Sequence, residues 1–356
     1  MIRRFSVLAA AIASAIVLAT TGSAQQFPGQ ELPYALFERY IEPLRQQSGI
    51  PGISAAVVRE GRIEWEKGFG HQDVDQAVAA TADTPYPIGG VTQALTAVLL
   101  GVCTDRHALD VDDFIRRYVP TFPEPAATVR HVMAHASDAP PGSRFRYDPT
   151  LYVSLTPVAE ACSARAFRVA IADEILDRLG MSSSVPGLDV GSAPARNLFE
   201  AARLARYNDV LRRVATPYRL DRGRVLKSEY PSLSMDAATG LVSTVRDLAR
   251  FDTALEAGVP MSTFTLNQMW SAASFGASGT LPTGLGWFVQ QYGSSRIVWS
   301  FGLIPDAGSA IIVKVPAKRL TLYMLANSPG LTAGANLEQG DATSSAFIKI
   351  FLRLFA

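Results

Sequence analysis

The sequence predicts an α/β protein of the α+β kind: an antiparallel sheet built from both ends of the chain, flanked by helices, with a helical lobe inserted between. Three observations carry this. Two short strand-like segments near residues 53–69 are joined by a two-residue turn. Strand character returns only after residue 285, in four further segments. Between them, from Asp110 to about Met269, apolar residues recur mostly at helical spacing, interrupted by proline and glycine. Strands at both ends with helices between them put the two ends into one sheet. A site is expected in the cleft between the lobes. No fixed-period repeat is visible.

The elements follow in order. Met1 to Arg4 carry two positive charges, Phe5 to Ala19 are predominantly apolar, and Gly22-Ser23-Ala24 offers small residues before Gln25. This is the three-part pattern of a secretory signal peptide, 1–24, cleaved after Ala24. The apolar run falls short of the ~20 residues a bilayer core requires. No cysteine stands near the cleavage point to carry a lipid, so no membrane anchor is expected after cleavage. Arg3-Arg4 fits a twin-arginine signal poorly, which leaves the export route open. The expected location is periplasmic or secreted. Beyond a polar linker, apolar Leu36, Phe37, Tyr40, Ile41 and Leu44 predict a helix from Pro33 to Gln47, ended by Gly49 and Pro51. Strands are predicted over Ile53–Arg59 and Arg62–Phe69, with Gly61 supplying the turn conformation. His71 to Ala82 reads as a polar loop. Further helices are predicted over Val129–His135, Pro157–Leu179, Thr244–Glu256 and Thr343–Phe355. Strands are predicted over Leu285–Gln291, Arg296–Trp299, Ser309–Val315 and Leu320–Ala326. Residues 25–356 thus form a sheet lobe (about 33–83 and 280–356) and a helical lobe (about 84–279).

Composition narrows the function classes. Loss of Arg3 and Arg4 takes the 33 basic residues to 31 against 32 acidic, a net charge of about −1. A near-neutral surface argues against nucleic acid and strongly anionic membranes as partners. Cys103 and Cys162 meet an oxidising compartment after export. Both lie in apolar helical stretches, and the sequence leaves open whether they pair or stay as two buried thiols. Histidines 71, 107, 131 and 135 are scattered, with Asp73 and Asp75 near the first. None repeats a zinc-type spacing, so no metal and no cofactor is expected, and Asp73–Asp75 reads as a solvated loop.

The most informative stretch is Thr84 to Leu100, TPYPIGGVTQALTAVLL, a tight turn running into a buried helix. Other segments stand around it in a fixed order: Ile50-Pro51-Gly52, Lys67-Gly68-Phe69-Gly70, Arg130 to Asp138, Leu179-Gly180-Met181, Thr239 to Thr244 with Asp247 to Phe251, Gly284-Leu285-Gly286-Trp287, and Leu325-Ala326-Asn327-Ser328. In this order, over nearly all of the chain after the leader, the sequence resembles the β-lactamase-related serine hydrolases: class C β-lactamases, DD-peptidases (penicillin-binding-protein-like) and related esterases. The resemblance implies that family's fold. It also implies a serine nucleophile followed one helical turn later by a lysine. Those positions hold Gly90 and Gln93. The family's Y-x-N becomes Tyr147-Asp148-Pro149, and its K-T-G or H-x-G becomes Ser300-Phe301-Gly302. No S-x-x-K and no G-x-S-x-G occurs anywhere.

Glycine has no atom that can attack a carbonyl, and a neutral amide cannot take the nucleophile's proton. The expectation is therefore a pseudoenzyme. It would bind a cell-wall-derived (peptidoglycan-type) or small acyl ligand, or a protein partner, at Gly90, Tyr147, Ser300, Gly302 and Leu303. The N–H groups of Gly90 and Leu303 would form the remnant of an anion-holding pocket. Gln93 and His135 are expected to be buried side chains satisfied by protein groups. Pro149 offers no amide to a ligand. Gly302 marks a close backbone approach to a ligand. Trp287, Trp299 and Phe301 fall where the sheet meets the cleft, as ligand wall or as core. The alternative is a serine-hydrolase-type enzyme (esterase, β-lactamase or peptidase-like) with a rebuilt site using Tyr147, Asp148 or Ser300. A third reading is a purely structural protein with its cleft filled.

Overall fold

The computed structural model describes residues 31–231, 234–276 and 279–356, and the signal-peptide reading lies outside them. Helix α1 (Glu31–Gln47) buries Phe37 and Ile41 and leads into a hairpin, β1 (Gly52–Arg59) and β2 (Arg62–Asp73). Both turn residues have positive φ, 51° at Glu60 and 75° at Gly61, the type I′ geometry whose twist suits paired strands. The polar loop expected from His71 is partly strand. β2 runs on to Asp73, and His71 stands opposite Ala79 of β3 (Val78–Ala79). Asp73 holds this return: its carboxylate accepts the Gln76 N–H at 2.9 Å and the Thr216 hydroxyl at 2.6 Å. β4 (Tyr86–Pro87) and a single 3-10 turn, Gly89–Val91, then feed α2 (Thr92–Asp105).

Every residue of α2 from Thr92 to Cys103 is buried, as expected of a helix apolar all round at the centre of a lobe. Around it stand α3 (Val129–Met133), α4 (Pro149–Tyr152), α5 (Leu155–Ser163) and α6 (Phe167–Ile171). The single helix expected over Pro157–Leu179 is broken. Ala164 adopts a left-handed φ of 52°, and the chain restarts at α6 and continues as a π turn, Ala172–Asp177. The Ser163 hydroxyl donates back to the Ala159 carbonyl at 2.6 Å, and Glu160 accepts the Phe167 N–H at 3.0 Å. Local polar groups thus take the bonds that helix continuation would have used. Cys162 and Cys103 form a disulfide between α5 and α2, their Cα atoms 5.9 Å apart.

The lobe is completed by α7 (Ala201–Leu211), the hairpin of β5 (Tyr218–Asp221) and β6 (Arg224–Lys227), β7 (Val242–Ser243) paired with β4, α8 (Val245–Glu256) and α9 (Thr263–Met269). The C-terminal part supplies β8 (Phe288–Tyr292), β9 (Ser295–Ile304), β10 (Gly308–Val315), β11 (Leu320–Ala326) and α10 (Ala346–Phe355). The strand expected over Arg296–Trp299 runs on to Ile304, because Ser300–Ile304 pair with Gly308–Ile312. The last helix begins at Ala346 rather than Thr343, since Asp341 accepts the Thr343 N–H at 2.9 Å and holds a 3-10 turn first.

The main sheet has seven strands in the order β3-β2-β1-β11-β10-β9-β8, antiparallel throughout. At its centre Ile53 of β1 stands opposite Ala326 of β11, so both ends of the chain build one sheet. One face packs against α1 and α10, with Phe37 of α1 edge-on to Trp65 of β2 at 5.4 Å between ring centroids. The other face, with Ile312 and Tyr323, packs against α2 and α8. Each large apolar side chain buried in these layers contributes roughly 1.5–3 kcal/mol. Among the described residues no helix is long and apolar enough to cross a membrane.

Candidate functional site

The 3-10 turn and the start of α2 meet β9 where that strand outruns its neighbour β8: β8 pairs only with Ser295–Trp299. Gly302 lies against the turn so closely that a Cβ there would stand 1.9 Å from the Ile88 carbonyl oxygen and 2.9 Å from the Gly90 nitrogen. Glycine is therefore needed at 302 for strand to meet turn. The close approach expected there toward a ligand is an approach to the protein's own backbone.

Gly90 is hemmed in as well. A Cβ at this position would lie 2.7 Å from Tyr147 Oη and 2.8 Å from the Phe301 carbonyl oxygen, inside the distance at which carbon and oxygen repel. The space a nucleophile's side chain would need is taken by these two oxygens.

Tyr147 is held there by a chain of hydrogen bonds. His135 Nδ1 accepts the Asp148 N–H at 3.2 Å, so Nε2 carries the ring proton and donates it to Gln93 Oε1 at 2.9 Å. The Gln93 amide is thereby oriented with Nε2–H toward Tyr147 Oη, 3.1 Å away. Gln93 and His135 are both buried, and burial depresses the His135 imidazole to about 3, keeping it neutral. Burial raises the Tyr147 phenol well above its ordinary value; Gln93 opposes this and the Glu338 charge adds to it. Tyr147 is thus a protonated phenol, accepting from Gln93 and with its own hydrogen left to donate. Where the resemblance implies a lysine, a neutral amide bridges two neutral rings.

The rebuilt-hydrolase residues are committed elsewhere. Asp148 caps α4, its Oδ1 accepting the Leu151 N–H at 3.0 Å, and its Oδ2 pairs with Arg146 at 2.9 Å. Pro149 is the first residue of that helix, where a missing N–H costs nothing. The Asp-Pro pair is thus a helix start. Ser300 is buried and stands opposite Ile312, on the sheet face that packs against α2. It is absent from the cleft lining.

The cleft has a volume of about 340 Å3. Of the residues singled out from sequence, Gly90, Tyr147, Pro149, Phe301 and Leu303 line it, whereas Ser300, Gly302, Trp287 and Trp299 do not. Trp287 and Trp299 are core. Sequence reasoning missed Pro231, Ala238, Thr239, Ile304, Pro305 and Glu338. Thr239 belongs to a segment that resembled the family at a non-catalytic position. Glu338 sits on a 3-10 turn, Leu337–Gln339, and nothing local to it signals a cleft.

A seven-stranded antiparallel sheet, an inserted helical lobe and a cleft at the first turn of its central helix define the class of the β-lactamases and penicillin-binding proteins. The β-lactamase family model matches residues 37–342, and the chain belongs to that family. It is similar to Protein flp of Staphylococcus aureus (strain N315), 30% identical over 109 residues, 29% of this chain and 22% of that protein. It is similar also to the human serine beta-lactamase-like protein LACTB, mitochondrial, 31% identical over 104 residues, 27% of this chain and 19% of that protein. These matches span about a fifth of the relatives' own length. Among solved structures, the octameric penicillin-binding protein homologue from Pyrococcus abyssi superposes with a TM-score of 0.70 at 22% identity, over 83% of this chain and 74% of that one. That likeness shows the fold.

Proposed function

We propose that this protein is an exported, catalytically silent member of the β-lactamase family that binds a small ligand in its cleft without turning it over. The observation that carries this reading is Gly90: this position offers no nucleophilic side chain, and the volume one would occupy is filled by Tyr147 Oη and the Phe301 carbonyl. The base is missing as well, since Gln93 is spent between His135 and Tyr147. A serine enzyme stripped of its catalytic residues retains about 10³–10⁴-fold over water from its oxyanion hole and binding. The open cleft, with Gly90 and Leu303 in its lining, supports binding over a purely structural role. Export is supported by the N-terminal charge and apolar pattern and by the Cys103–Cys162 bond, a feature of oxidising compartments.

The test is intact-mass analysis after incubation with a labelled penicillin and with a fluorophosphonate. The expected spectrum is that of unmodified protein; stoichiometric labelling of any residue overturns the reading. Binding is sought by thermal shift with cell-wall fragments, small acyl compounds and β-lactams, since a ligand at 100 times its Kd stabilises by about 2.7 kcal/mol through mass action alone.

A further inference from the structure

The cleft's lining has an unusual charge balance. Among the described residues it contains no lysine, arginine or histidine, and its one carboxylate is Glu338. Tyr147 adds a phenol held in its protonated form. The rest of the lining is the Tyr147 ring, the polar Thr239, and apolar residues such as Leu303, Ile304 and Pro305; Phe301 contributes its backbone, its ring being buried in the core beneath the sheet. An anion entering this space meets a like charge and finds no cation to offset its lost hydration. A cation meets a carboxylate and the Tyr147 ring, whose π-system attracts positive charge.

We propose that the cleft selects small organic cations, ammonium compounds carrying an apolar body, with Glu338 as the counter-charge, and that it discriminates against carboxylates. The inference rests on the binding reading above and gives that ligand its chemistry. The apolar body lies along Leu303, Ile304 and Pro305, and the ammonium group is directed to Glu338. The Tyr147 hydroxyl, already accepting from Gln93, donates to any acceptor the ligand carries.

Three probes of matched size separate the charge states: 2-phenylethylamine, 2-phenylethanol and 3-phenylpropanoate, titrated calorimetrically into the disulfide-bonded protein. Glu338 is exposed, so its attraction is screened; the amine is expected to bind about fivefold tighter than the alcohol, as for a partly exposed ion pair. The carboxylate should bind weakest. Added salt should erode the amine's advantage. In Glu338→Gln, whose change lies at the surface, the amine should fall to within about twofold of the alcohol. A carboxylate that binds as well as the amine, or an amine preference that survives Glu338→Gln, overturns the inference and leaves the binding reading standing. If all three probes fail while cell-wall or acyl compounds bind, the inference falls alone. An empty result for every compound removes both.

Discussion

At the scale of single residues, the departure from the family's serine and lysine is legible in the sequence, and what fills their place is not. Gly90 and Gln93 stand at those two positions. Only the packing shows that Tyr147 and the Phe301 backbone have taken over the vacated volume. Restoring a side chain at position 90 is therefore not a simple repair. Gly90→Ala is expected to lower stability by about 1–3 kcal/mol, the usual cost of inserting a methyl group into filled space. Tyr147→Phe in the same chain should recover part of that loss, because the hydroxyl contact goes and the carbonyl contact stays. The coupling between the two substitutions, read from denaturant midpoints, is the measure. A Gly90→Ala midpoint equal to wild type would mean the space is open. Gln93 and His135 were expected to be buried and satisfied by protein groups, as the hydrogen bonds place them. Their chain to Tyr147 was not foreseen, since it joins positions 93, 135 and 147.

At the scale of elements, the periodic segments were readable and their interruptions were not. α1, the β1–β2 hairpin and α8 follow from apolar spacing, turn chemistry and the Thr244 cap, which accepts the Asp247 N–H at 3.1 Å. The break at Ala164 escaped notice because the alanine there carries no breaker signal; the competing bonds come from Ser163 and Glu160. That break positions α5 so that Cys162 reaches Cys103 of α2 across 59 residues of chain. Closing a loop of this length stabilises by roughly 4 kcal/mol in the chain-entropy account. The Cys103→Ser/Cys162→Ser protein should therefore unfold at clearly lower denaturant than the oxidised wild type, and reduction of wild type should reproduce most of the shift. Equal midpoints would show that the bond constrains nothing the unfolded chain would otherwise explore.

At the scale of the whole molecule, two buried polar sites tie the layers together. Lys314 of β10 pairs with Asp252 of α8 in the core, and its ammonium donates to the Thr321 hydroxyl of β11 at 3.0 Å. Trp270 covers the ammonium at 5.0 Å from its ring centroid, and burial lowers the lysine's pKa. The second site, His135, makes stability depend on pH. Its folded pKa of about 3 lies below the ordinary imidazole value of 6.5, so the unfolded chain takes up a proton that the folded chain refuses. The contribution is complete above pH 6.5 and is lost as pH falls through 6.5 toward 3. At about pH 5 the loss amounts to about 2 kcal/mol. A His135→Gln protein should thus show a flatter stability profile between about pH 7.5 and about pH 5 than wild type, the half-buried His131 contributing equally to both. Parallel profiles would mean that His135 protonates within the fold.

What the sequence by itself determined is the family, the α+β layout with both chain ends in one sheet, and the presence of Gly90 and Gln93 where the family carries serine and lysine. These depend on residue identity and on short-range periodicity, both properties of contiguous chain. The tertiary structure alone decided which cysteine state holds, that Ser300 is buried against α2 outside the cleft lining, that Gly302 serves strand-to-turn contact, and that Glu338 gives the cleft its charge. Each of these is a distance between residues remote along the chain, and such distances are set by packing, to which local spacing is blind.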